Sequence, residues 1–111
     1  MPKYVFIYHA PPMPADAEPP APEQVQEMMD AWYGWARSVG DGLIDLGTPL
    51  SGGVRVTPDG VAMSDLQVAG YSILEADNRD AAVALAQSHP HLGMADGCVI
   101  EVHEAEPLPG S

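Results

Sequence analysis

Residues 3–9 read Lys-Tyr-Val-Phe-Ile-Tyr-His, and this short run decides the fold. The side chains alternate, with Tyr4, Phe6 and Tyr8 on one face and Val5, Ile7 and His9 on the other. Aromatic and β-branched residues on both faces predict a strand buried on two sides. Outward from it, residues 11–22 form a proline-rich connection of low conformational entropy. Pro22 suits a first helical position, and Glu23 favours the positive end of the helix dipole. Val25, Met28, Met29, Trp32, Trp35, Ala36 and Val39 then recur at helical spacing until Gly40 ends the run. Gly34 inside this helix costs about 1 kcal/mol relative to alanine. A close packing contact is its expected reason.

Residues 40–53 are turn-rich and carry a short apolar piece at 43–46. Residues 54–63 read as a β-hairpin with Pro58-Asp59-Gly60 at its turn. Residues 70–76, GYSILEA, are a further strand. Asp77 or Asn78 can cap the next helix, whose apolar face is Ala82, Val83, Leu85 and Ala86. Pro90 stops that helix. Residues 98–104, CVIEVHE, alternate cleanly and form the last strand.

The order β-α-β-β-α-β predicts an α+β, ferredoxin-like fold: a four-stranded antiparallel sheet with two helices on one face, the hairpin at 54–63 adding short strands. The first strand is then central, with the last antiparallel beside it. His9, His89 and His91 fall together at one sheet edge. Ser72, Leu74, Ala76, Cys98, Ile100 and Val102 suit packing under the helices. The opposite set is Tyr71, Ile73, Glu75, Val99, Glu101 and His103, joined in this reading by Tyr4, Phe6 and Tyr8. It is too apolar to face water alone, which predicts a homodimer with Phe6 and Ile73 at its interface.

The 111 residues make one domain, 1–111. A single cysteine, Cys98, excludes an internal disulfide framework and fits a reducing compartment, so the expected location is cytoplasmic. MPKYVFIYHA reads as a strand rather than a signal peptide, and no stretch approaches the length of a membrane span. Four Lys and Arg against sixteen Asp and Glu leave a formal charge of −12, which repels phosphate backbones and anionic lipid. Neither nucleic acid nor membrane is expected as a partner.

Strand YVFIYH, helix EMMDAWYGWARSVGDGLIDLGTPL, strand GYSILEAD, segment AAVALAQSHPHL and ending CVIEVHEAEPL together resemble the YCII-related family, nearest its DGPF-type branch. The likeness lies in their order and spacing and covers nearly the whole chain. It implies pairing as a dimeric α+β barrel around a pocket. That superfamily includes isomerases, monooxygenases and dehydrochlorinases acting on small, often ring-derived compounds. Two departures stand out. Some YCII-like members carry a His on the first helix and an Asp-Pro pair near the end of the second, an acid/base dyad. Here the helix position falls near Trp32, and the Asp-Pro position reads His89-Pro90. The DGPF tetrapeptide is replaced by SDLQVAG, keeping at most Asp65.

The candidate catalytic residues are His9 and His89, since imidazole titrates near neutrality and suits proton transfer. Tyr8, Met13, Trp32 and His91 are the candidate pocket residues for a small-molecule ligand. The competing reading makes His89 and His91 helix-end residues that satisfy free carbonyls. His-Pro-His is weak as metal spacing, so no metal or cofactor is assigned. Glu75 and Glu101 on the outer face are either desolvated bases or hydrogen-bonded structural groups. Two functions stay open: cofactor-independent proton transfer, by isomerisation or elimination, on a small metabolite; or a catalytically silent small-molecule-binding or accessory dimer.

Overall fold

Strand β1 (Lys3–His9) lies inside a four-stranded antiparallel sheet, between β5 (Val68–Glu75) and β6 (Val99–Ala105). The computed structural model describes residues 1–11, 21–64, 67–94 and 97–109. Helix α1 (Pro22–Val39) follows β1, and a 3-10 turn leads to strand β2 (Leu43–Asp45). Strands β3 (Val54–Thr57) and β4 (Gly60–Met63) come next, then β5, helix α2 (Arg79–Gln87), a second 3-10 turn (Pro90–Gly93) and β6. The sheet order is β2-β5-β1-β6, with every neighbouring pair antiparallel. That order is compatible with a ferredoxin-like arrangement.

Register decides which face of β1 is buried. Phe6 lies opposite Ser72 and Val102, Tyr8 opposite Gly70 and Ile100, and Tyr4 opposite Leu74 and Glu104. Directly opposed residues share a sheet face. Tyr4, Phe6 and Tyr8 therefore stand with Ser72 and Leu74 under the helices, where all five are fully buried. This corrects the expected assignment of the three aromatics to the outer face. The outer face of β1 is Val5, Ile7 and His9, all half-buried. The chemistry is simple: rings this large gain about 2–3 kcal/mol each from burial, and only the helix side offers a partner of matching size.

Both helices cover that one face. Trp35 of α1 packs on Phe6 with ring centroids 6.1 Å apart, and its indole N–H donates to the Leu85 carbonyl of α2 at 2.9 Å. Ala82 and Ala86 of α2 are buried in the same core, their small side chains letting the helix settle close to the sheet. The local start and stop signals act as expected. Pro22 opens α1, the Ala21 N–H donates to Gln24 Oε1, and Gly40 closes the helix at φ 73°. Asn78 caps α2 by accepting from the Ala81 N–H at 2.8 Å.

Two readings of the sequence change. The edge strand beside β5 is β2, drawn from the apolar piece inside the turn-rich connection, because Leu43 and Leu46 pack against the core. The hairpin β3–β4 forms a separate two-stranded sheet. Gly34 is also not explained by close packing. A Cβ built there meets nothing nearer than the Arg37 guanidinium at 3.9 Å.

Gly34→Ala should therefore raise stability by about 0.5–1 kcal/mol, read as a higher urea midpoint with unchanged m-value. Phe6→Asp should abolish cooperative unfolding rather than leave the chain folded, since it buries an unpaired charge in the core. Far-UV and near-UV circular dichroism of the variant would distinguish these outcomes.

Candidate functional site

A cavity of about 430 Å³ opens on the helix side of the sheet, between α1, the end of β1, the loop after β2, the start of β5 and the Pro90–Gly93 turn. Met28, Trp32 and Tyr33 of α1 form one wall. Leu46, Thr48 and Pro49 form the rim, while Tyr8, Ala69, Gly70 and Cys98 form the floor and far side. His91 and Met94 close the remaining side. Such a volume with a mainly apolar lining and few polar groups suits a small organic ligand.

The rim is held by specific bonds. Tyr8 O–H donates to Ser72 Oγ at 2.7 Å, and Ser72 donates onward to the Leu46 carbonyl at 2.6 Å. Burial pushes the Tyr8 phenol up to about 12. It is therefore neutral near pH 7, with its proton committed to Ser72. Gly47 must be glycine: its φ is 82°, and a Cβ there would collide with the Tyr71 carbonyl. Its N–H donates to Asp45 Oδ1 at 2.8 Å, and Asp45 Oδ2 accepts from Tyr71 O–H at 3.4 Å.

The three histidines meet through the main chain rather than by their rings alone. His91 Nε2–H donates to the His9 carbonyl at 2.9 Å, and the His91 backbone N–H donates to His89 Nδ1 at 2.9 Å. Each bond settles a tautomer. A carbonyl can only accept, so His91 carries its proton on Nε2. A ring nitrogen that accepts is unprotonated, so neutral His89 also carries its proton on Nε2.

His89 is 3 % exposed and sits among Trp32 and Trp35, each at 4.3 Å between ring centroids, and Tyr8 at 4.8 Å. Its Nε2 finds no hydrogen-bond partner among the described residues, and the surrounding rings offer only weak N–H···π acceptors. Desolvation, with a smaller effect of the nearby His91, lowers its pKa to about 4. His89 is thus a neutral, buried support behind the cavity wall. His91 is equally buried but lines the cavity. Its Nδ1 takes no partner among the described residues.

The His9 imidazole lies on the other face of the sheet. Its Nε2 is 3.2 Å from Glu101 Oε1, and His103 Nε2 approaches the same oxygen at 3.3 Å. Hydrogen bonds from His103 and His9 hold the Glu101 carboxyl below its usual range, which fits a hydrogen-bonded group rather than a desolvated base. His9 contributes its backbone to the cavity side and its ring to the outer face, so the rings of His9 and His89 are not brought together. Trp32, Tyr8 and His91 do converge. Met13 lies outside the described residues, which break off after Pro11 and resume at Ala21. The sequence reading missed the 46–49 rim, Met28 and Cys98 as cavity residues. Nothing in their local pattern separates them from ordinary core and turn positions.

Among the described residues, no three His, Cys, Asp or Glu side chains are arranged to hold a metal ion. No helix among the described residues is long and apolar enough to cross a membrane. No protein-family model matches the chain, and no curated protein matches it either.

The His89 pKa predicts a pH dependence of stability. Its folded value lies below the unfolded value near 6.5, so the unfolded chain binds the extra proton between about pH 6.5 and 4. The stabilisation is complete above about pH 6.5 and is lost as the pH falls toward 4, by about 3 kcal/mol in all. Urea unfolding at pH 7, 5.5 and 4.5 should show a fall that His89→Gln flattens. An identical fall in the variant would assign the loss to other groups.

Proposed function

We propose that the chain is a YCII-like, ferredoxin-like protein that works as a homodimer of the dimeric α+β barrel type. In this reading its helix-side cavity binds a small, flat, largely apolar metabolite, and His91 moves a proton on it without a cofactor. The observation that carries the reading is the orientation of His91. One ring nitrogen is anchored on the His9 carbonyl, the backbone is anchored on His89, and the second ring nitrogen remains for a ligand within a cavity of about 430 Å³. A neutral imidazole oriented by a second hydrogen bond is what general base catalysis asks of a protein. In isomerisation such a base takes the proton of an acidic C–H bond and returns it at another carbon. In elimination it keeps the proton while the substrate's own leaving group departs. Trp32 supplies a flat apolar wall for a ring. The order and spacing of the elements support the YCII-like assignment. The missing helix His and Asp-Pro pair mean that the acid/base work passes to a different residue.

A second reading, catalytically silent binding, is favoured by one observation. The Tyr8 hydroxyl is spent on Ser72, so among the described lining residues only the Tyr33 phenol and the Cys98 thiol are left as acids to pair with His91.

Solvent deuterium exchange into the α-carbons of small cyclic ketones, with binding followed by quenching of Trp32 fluorescence, separates the two readings. Proton-transfer chemistry predicts exchange that His91→Gln lowers by at least about 100-fold while binding changes little. Binding without exchange in the wild type selects the silent binder. Absence of both across a panel of rings removes the cavity as the site.

A further inference from the structure

The hairpin β3–β4 is the part of the chain that its own fold leaves unexplained. Val54 pairs with Met63 and Val56 with Val61, so all four side chains lie on one face. They are 59, 87, 72 and 68 % exposed in that order. A two-stranded hairpin is marginal in water unless its apolar face is covered, yet this one forms a sheet of its own. The radius of gyration is 15.8 Å, against about 13 Å for a compact chain of this length, as expected of a projecting arm.

We propose that this hairpin is an arm that clasps a second copy of the chain, its apolar face lying across the partner's outer sheet face. The proposal rests on the homodimer above and names the element that holds it. Area argues for a second copy over a different protein. One hairpin offers roughly 400 Å² of apolar surface, so a single docking event buries roughly 800 Å² in total, below what a stable interface needs. Two-fold exchange doubles this to roughly 1,600 Å², the standard size for a specific complex. Charge argues the same way. Residues 53–64 carry one cation and one anion, Arg55 and Asp59, within a chain of net charge −12, so the arm is where two acidic copies can meet with least repulsion. The receiving surface is also at hand: Val5, Ile7 and Ile73 line the outer sheet face and are only half-buried.

Sedimentation of Val56→Glu/Val61→Lys tests the arm. The opposed charges keep the cross-strand pair attractive and the hairpin formed while making its face polar. The expected result is a wild-type dimer at micromolar concentration and at least a 10-fold weaker dimer in the variant, with unchanged circular dichroism. A variant that dimerises as tightly as wild type overturns the arm and leaves the homodimer standing. A wild-type monomer overturns both. A second measurement fixes the contact: Val61→Cys/Ile73→Cys, in a Cys98→Ala background, cross-linked after mixing ¹⁵N-labelled and unlabelled copies. Mixed-isotope cross-links support exchange between copies. Cross-links within single copies show the hairpin folded back on its own sheet and overturn the proposal.

Discussion

The burial of one face of β1 under the two helices organises everything else in this molecule. Tyr4, Phe6 and Tyr8 are large enough that only a layer of comparable depth can cover them, and Trp32 and Trp35 supply it. Hydrogen bonding on both edges of β1, to β5 and β6, then has no freedom of register. A slip of one residue would expose three rings and bury Val5, Ile7 and His9 in their place. The Trp35 indole N–H adds a polar constraint by fixing α1 against the Leu85 carbonyl of α2.

The cavity is a consequence of where that aromatic packing stops. Phe6 is covered by Trp35, but Tyr8, one pleat further on, meets Trp32 edge-on at 5.1 Å and ends in a hydroxyl. The hydroxyl needs a partner and finds it in Ser72, which in turn holds the Leu46 carbonyl. The loop after β2 is thereby drawn over the sheet without filling the space beside Tyr8. On the opposite side the His89-Pro90-His91 turn is tied to the sheet by the His9 carbonyl. Polar bonds hold the walls, and apolar side chains face the space between them.

His89 and His91 show how two identical side chains, two residues apart, diverge in character. His89 is surrounded by rings and kept neutral, because burial penalises its charged form and the nearby His91 adds to the penalty. Its value is mechanical: it accepts the backbone N–H that sets the turn. His91 stands one layer nearer the cavity with one nitrogen occupied and one open. Burial makes the first a support, and a single carbonyl fixes the ring of the second. On the far face, Glu101 shared by His9 and His103 is a polar cluster in an otherwise semi-apolar surface, beside the half-buried Ile7.

Much of this was legible in the residues alone. Period-two alternation marked β1, β5 and β6. Period 3.6 marked the helices, and Pro22, Gly40, Asn78 and Pro90 marked their ends, because these signals act within a few residues of chain. The meeting of β1's end with the turn after α2 followed from element order. Three matters did not follow. Either face of β1 is apolar enough to be core, so only the register against Ser72 and Leu74 decides that the aromatics face the helices. Residues 43–45 are too short to announce a strand, and pairing with β5 makes them one. Which histidine keeps an open nitrogen depends on which one meets the His9 carbonyl, a contact 82 positions apart in sequence that local pattern cannot carry.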